Sequence, residues 1–97
     1  MQNINVLILE KCSLRQLGLS CLIKENFQKI NVASSNIFSS NQLNEFRPDY
    51  IFINIELLKN LKIKSSVLGY KLIVFGNDDL VKTDDLTIIE HINDDCS

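Results

Sequence analysis

The sequence predicts an α/β domain built on a parallel sheet, and three observations carry that prediction. Short apolar runs of strand length recur at residues 5–9 (NVLIL), 50–55 (YIFINI) and 72–75 (LIVF). They lack the polar alternation of a half-exposed strand, which marks strands buried on both faces. Segments with helical spacing lie between them, and this alternation defines the class. Finally, 97 residues with 45% hydrophobic and 23% charged content fit one small globular domain over 1–97 and not a disordered chain.

Taken in order, residues 5–9 are the first strand. Ser13 opens a helix, with Gln16 three positions on in the spacing of a capping box. Leu14, Leu17, Cys21 and Leu22 fall on one helical face, the expected buried one. Gly18 shares that face, and close approach to the sheet is the expected reason for a residue that costs a helix about 1 kcal/mol. Residues 30–33 form a weaker strand. Ser39 and Gln42 repeat the capping-box spacing and open a short helix that buries Leu43 and Phe46. Pro48 ends it, because the residue before a proline is pushed out of the α region. Residues 50–55, the most apolar run, are the central strand. Leu57, Leu58 and Leu61 suggest a short third helix, 72–75 a further buried strand and 86–89 the last.

Right-handed crossovers leave few topologies for this order of elements. The best fit is a flavodoxin-like, doubly wound, parallel five-stranded sheet in the order 2-1-3-4-5. Residues 77–85 are too short and acidic for a full fourth helix, and no fifth helix follows the last strand. One face of the sheet is then covered by the first helix alone, which leaves apolar surface in need of a partner.

Composition excludes several classes of function. Ten Lys+Arg against 12 Asp+Glu give a net charge of −2, without the basic face that nucleic-acid binding needs. No apolar run reaches the roughly 18 residues of a membrane span, and no signal peptide is recognisable. Cys12, Cys21 and Cys96 form no CxxC pair, so reduced thiols and a cytoplasmic location are expected.

Residues 5–10, the helix carrying Arg15, Gly18, Leu19 and Leu22, and Arg47-Pro48-Asp49 before an apolar strand resemble the receiver domain of bacterial response regulators. So does the strand 71–75 followed by Asn77-Asp78-Asp79. The likeness is greatest to receivers joined to LuxR-type helix-turn-helix domains. It implies a two-component signalling role, with DNA bound only through a domain beyond Ser97, so that 1–97 reads as an N-terminal fragment of a longer regulator. Receivers take a phosphoryl group on an aspartate ending the third strand. Two acids after the first strand hold Mg²⁺, and a Ser or Thr and a Lys after the fourth and fifth strands contact the phosphoryl oxygens. Carried onto this chain, the two acid positions hold Glu10 and Lys11, the acceptor position holds Asn54 and the hydroxyl position holds Gly76. Glu90 and His91 stand where the Lys belongs. An amide forms no acyl phosphate, and Glu10 beside Lys11 is a poor Mg²⁺ site. The resemblance therefore implies a pseudo-receiver with a degenerate pocket at Glu10, Lys11, Asn54 and Gly76. It has no catalytic residue, metal or cofactor, and it acts by docking. A homodimer is expected to bury Leu80, Val81, Leu86, Ile88 and Ile92.

Other readings of single residues stand beside this one. Lys11 either replaces the metal's charge, pairing with Glu10 or Asn54, or is a solvated loop lysine. With Glu10 and Asn54 it also suits a small-anion sensor. Cys12, just before a helix N-terminus, has the placement of the phosphocysteine in sugar-phosphotransferase IIB proteins, but Leu14, Arg15, Gln16 and Leu17 replace the small cradle of that family. His91 is read as a surface residue, and Asp78-Asp79, Asp84-Asp85 and Asp94-Asp95 as solvated loop charge, since they lack EF-hand spacing.

Overall fold

The computed structural model describes residues 3–36 and 39–76, and the backbone of 87–93. The elements are β1 (Ile4–Leu9), α1 (Ser13–Asn26), β2 (Ile30–Ser35), α2 (Ser40–Phe46), β3 (Tyr50–Asn54), a 3₁₀ turn (Ile55–Lys59), α3 (Leu61–Ser66) and β4 (Lys71–Gly76). Thr87–Asn93 is also extended. The first four strands form an all-parallel sheet in which β1 lies between β2 and β3, and β3 between β1 and β4. The run 50–55 is thus interior, as its composition predicts.

The two-residue period of the strands sorts their side chains into two layers. Leu7, Leu9, Ile51, Ile53, Leu72 and Val74 face one way and pack with Leu43 of α2, Leu58 of the 3₁₀ turn and Val67 after α3. Val6 and Ile8 face the other way and meet Ile23 of α1, with Leu19, Ile30, Val32, Tyr50 and Phe52 around them. Helices therefore cover both faces. Among the described residues α1 is the one helix on the second face. Beside it lies an open groove of about 250 Å³, lined by Val6, Ile23, Phe27, Tyr50, Phe52 and Ile73 among others.

Several local expectations are corrected. The side of α1 that meets the sheet is Gln16, Leu19, Ser20 and Ile23. The expected core face points outward instead, with Leu14 77%, Leu17 62% and Leu22 57% exposed and Cys21 exposed as well. The helix's rotation is fixed at its first turn, where the Gln16 side chain donates to the Glu10 carbonyl and Arg15 pairs with the Glu10 carboxylate. Gly18 does not touch the sheet, since a Cβ there would meet nothing within 4 Å. Neither capping box forms: Cys12 and Ser39 are the N-cap residues, both without a side-chain cap. Leu61 is exposed, and its helix is started by Asn60, whose side chain accepts from the Lys62 and Ile63 amides. The extended segment expected over 86–89 begins one residue later and runs to Asn93.

Arg47 leaves the right-handed α region before Pro48, but into the left-handed one, at φ 51° and ψ 65°. The turn is held against β1 by Asn5. Its amide donates to Asp49 Oδ2 at 2.8 Å, and its side chain donates to the Phe46 carbonyl at 2.9 Å. The Asp49 amide donates back to the Asn5 carbonyl at 2.7 Å.

Two substitutions test this description. Gly18→Ala adds a methyl to open space, so urea unfolding of dilute protein should show a gain of about 1 kcal/mol. Arg47→Gly relieves a positive φ and should raise stability by up to about 1 kcal/mol in the same assay. A loss in either variant contradicts the local geometry.

Candidate functional site

β1, β3 and β4 run in parallel, so their C-terminal ends share one edge of the sheet, where open α/β sheets place their ligand crevice. Glu10 follows β1, Asn54 ends β3 and Gly76 ends β4. With Lys11, Cys12 and Arg15 they line a cavity of about 320 Å³. Of the expected pocket residues, the structure brings Glu10, Asn54 and Gly76 together with Lys11 at the rim.

Glu10 is 3% exposed, and a carboxylate so buried must be paired or hydrogen-bonded. Its Oε1 accepts from Asn54 Nδ2 at 2.8 Å and lies 3.6 Å from an Arg15 guanidinium nitrogen. Its Oε2 accepts from the Cys12 amide at 3.2 Å. Asn54 is buried too. Its Oδ1 accepts from the Glu56 amide at 2.9 Å, capping the 3₁₀ turn. Both ends of the Asn54 amide are thus engaged, and the pocket's polar groups satisfy one another.

Lys11 is exposed, in keeping with the second of its two readings, a solvated loop lysine, and the cation beside Glu10 is Arg15. The contribution of Arg15 was not legible from spacing, because it sits in the first turn of α1 and reaches back across the loop. The Cys12 thiol is exposed, while its amide is already given to Glu10. The Glu10 carboxylate therefore occupies the N-terminus of α1, and another anion there would meet it at close range. Gly76 has φ +135°, and a Cβ on it would stand 2.7 Å from Ile55 Cγ2 and 3.4 Å from Asn54 Oδ1. The conformation and the contact both require glycine.

Leu80, Val81 and Leu86 of the expected dimer surface lie outside the described residues. So do the paired aspartates at 78–79, 84–85 and 94–95, and Cys96. Ile88, Glu90, His91 and Ile92 fall on the extended segment Thr87–Asn93, where the backbone alone is described. Among the described residues there is no cluster of three metal-ligating side chains, and no helix is long and apolar enough to cross a membrane. No protein-family model, curated protein or solved structure matches the chain.

Asn54→Ala removes the Glu10 bond and the cap on Glu56 together. Thermal or urea unfolding should show a loss of about 2–4 kcal/mol. Gly76→Ser forces a side chain against Ile55 at a positive φ and should cost about 2 kcal/mol or more. Wild-type stability in either variant would mean that this edge of the sheet is arranged differently.

Proposed function

We propose that the chain is a receiver-like regulatory domain that works by contact and not by phosphoryl transfer, within a LuxR-type regulator whose DNA contacts belong to another domain. The parallel sheet with helices on both faces supports the fold this requires. In that reading the sheet is flavodoxin-like, with Thr87–Asn93 as the fifth strand of the order 2-1-3-4-5. The parallel register that sets Thr87 beside Lys71 and Asn93 beside Gly76 favours it.

One observation carries the proposal, the hydrogen bond from Asn54 to Glu10. A receiver keeps an anionic acceptor at the end of the third strand and a metal between it and the acids of the first. Here the acceptor position is an amide whose nitrogen sits on the acid. Mg²⁺ needs oxygen ligands in near-octahedral array. Both Glu10 oxygens are engaged and Lys11 follows it, so these residues do not fit the ion. The hydroxyl position is Gly76, with no room for an oxygen. What is left is a rigid junction joining β1, β3 and the start of α1. The Glu10 carboxylate at the head of α1 favours the docking role over the anion-sensor and phosphocysteine alternatives.

Beryllofluoride with Mg²⁺ should leave the amide spectrum of the wild-type chain unchanged. A Mg²⁺-dependent shift of the resonances of residues 10–12, 54 and 76 would overturn the reading. Asn54→Asp sets a second carboxylate against Glu10, so it should be less stable than wild type in EDTA through like-charge repulsion. Millimolar Mg²⁺ should restore part of that loss, with no such response in the wild type. Equal melting temperatures for Asn54→Asp and wild type in EDTA would contradict the proposed pocket.

A further inference from the structure

β2 closes the sheet on one side. It pairs in parallel with β1 from Ile30 to Ser35 without a shift in register, and among the described residues no strand lies beyond it. The Ile4 and Glu10 amides donate to the Lys29 and Ser35 carbonyls. Main-chain groups alternate in direction along a strand, so the odd-numbered residues of β2 bond to β1. Ile30, Val32 and Ser34 then turn their N–H and C=O groups outward, where no described residue meets them. Open strand edges are ordinarily guarded by a charge, a proline or a bulge. β2, with the sequence INVASS, has none of these.

We infer that β2 pairs antiparallel with β2 of a second copy of this chain, about a two-fold axis perpendicular to the sheet at Val32. Val32 then exchanges both its main-chain bonds with the partner's Val32, and Ile30 with the partner's Ser34. Every outward donor and acceptor of β2 is satisfied, and each contact off the axis is made twice. The side chains keep their layers. Ile30 and Val32 belong to the layer under α1 and Ala33 to the other, and across the new seam Val32 stands beside its counterpart and Asn31 beside the partner's Ala33. No like charges meet, because the strand carries none.

α1 selects a second copy over a lone extended segment. Its Leu19 and Ile23 pack with Val6 and Ile8 of β1 and with Ile30 and Val32 of β2, so the helix lies above that pair of strands. Continuing the sheet sets the partner's α1 two strand spacings away, about 10 Å. Two steps of sheet twist turn it by about −40 to −50°. Both values are those of packed helices. Arg15 and Asn54 meet the same Glu10 oxygen, which places Arg15 on the flank of α1 toward β3. Leu17 lies about 200° farther round the helix, on the flank above the outer side of β2, where it is 62% exposed. The partner's helix covers this leucine and a strand alone does not. The pairing uses none of the crevice's groups, so it stands apart from the loss of phosphoryl chemistry.

Sedimentation equilibrium and amide exchange of the full chain, from about 10 μM to about 1 mM, test it. The wild type should pass from monomer to dimer, and the Val32 and Ser34 amides should gain protection as it does. Ser34→Pro removes an outward donor that β1 does not use and should weaken the dimer about tenfold or more, while Ser34→Ala stays within about twofold of wild type. Leu17→Lys should weaken it about fivefold or more, whereas Leu14→Lys, on the crest of the helix away from the sheet, should stay within about twofold. Circular dichroism and thermal melting confirm that the variants compared keep the fold. A monomer at every concentration overturns the inference and leaves the edge to a foreign strand. So does a dimer whose Val32 and Ser34 amides exchange as in the monomer, one that Ser34→Pro or Leu17→Lys leaves intact, or one that Leu14→Lys weakens as much as Leu17→Lys.

Discussion

The Glu10 carboxylate is the group to which the upper edge of this molecule is tied. It lies at the end of a strand buried on both sides, and it cannot remain charged there without partners. Three separate segments provide them: Asn54 from the end of β3, the Cys12 amide from the connecting loop and Arg15 from the first turn of α1. Each partner is in turn held by the fold. Asn54 is fixed by the turn it caps, and Arg15 by the helix whose next residue, Gln16, bonds the Glu10 carbonyl. The buried charge thus sets the spacing of β1 and β3 at their ends and the rotation of α1 about its axis. From that rotation follows which leucines meet the sheet and which meet water.

The strands were legible because burial on both faces leaves an unambiguous signature. NVLIL, YIFINI and LIVF have no polar face, and each appears as a buried strand of the sheet, the first two of them between neighbours on both sides. The orientation of α1 was not legible. It carries apolar residues on two sides, and the richer stripe, Leu14, Leu17, Cys21 and Leu22, outweighs Leu19 and Ile23 in any reading by periodicity. The side that meets the sheet includes Gln16 and Ser20, polar residues that hydropathy assigns to solvent. The capping boxes failed for a related reason. Ser13 has the right spacing from Gln16, but the Gln16 side chain is spent on the Glu10 carbonyl, so the reciprocal pair cannot form.

The pocket was legible in part. Glu10, Asn54 and Gly76 each end or follow a parallel strand, and strands running the same way bring those positions to one edge. That the polar groups would satisfy one another was not visible, because it depends on Arg15 reaching backward from the helix and on the Asn54 amide serving two partners at once. Lys11 illustrates the limit. A cation next to a buried acid is the natural pairing on paper, yet the chain direction after β1 carries Lys11 outward and leaves the acid to Arg15.

The contact between Gly76 and Ile55 constrains how this sequence can drift. Ile55 fills the space above the glycine so closely that a larger residue fits at position 76 only by displacing the isoleucine. Ile55 is itself buried in the main core, where a smaller side chain opens a void. Any mutational route to an oxygen-bearing group at the tip of β4 therefore meets either a clash at position 76 or, if position 55 shrinks first, a void in the core. The barrier is steric and conformational, since φ at position 76 is +135° whatever fills the space, and it is independent of the charges around it, so repairing the acids alone leaves it standing.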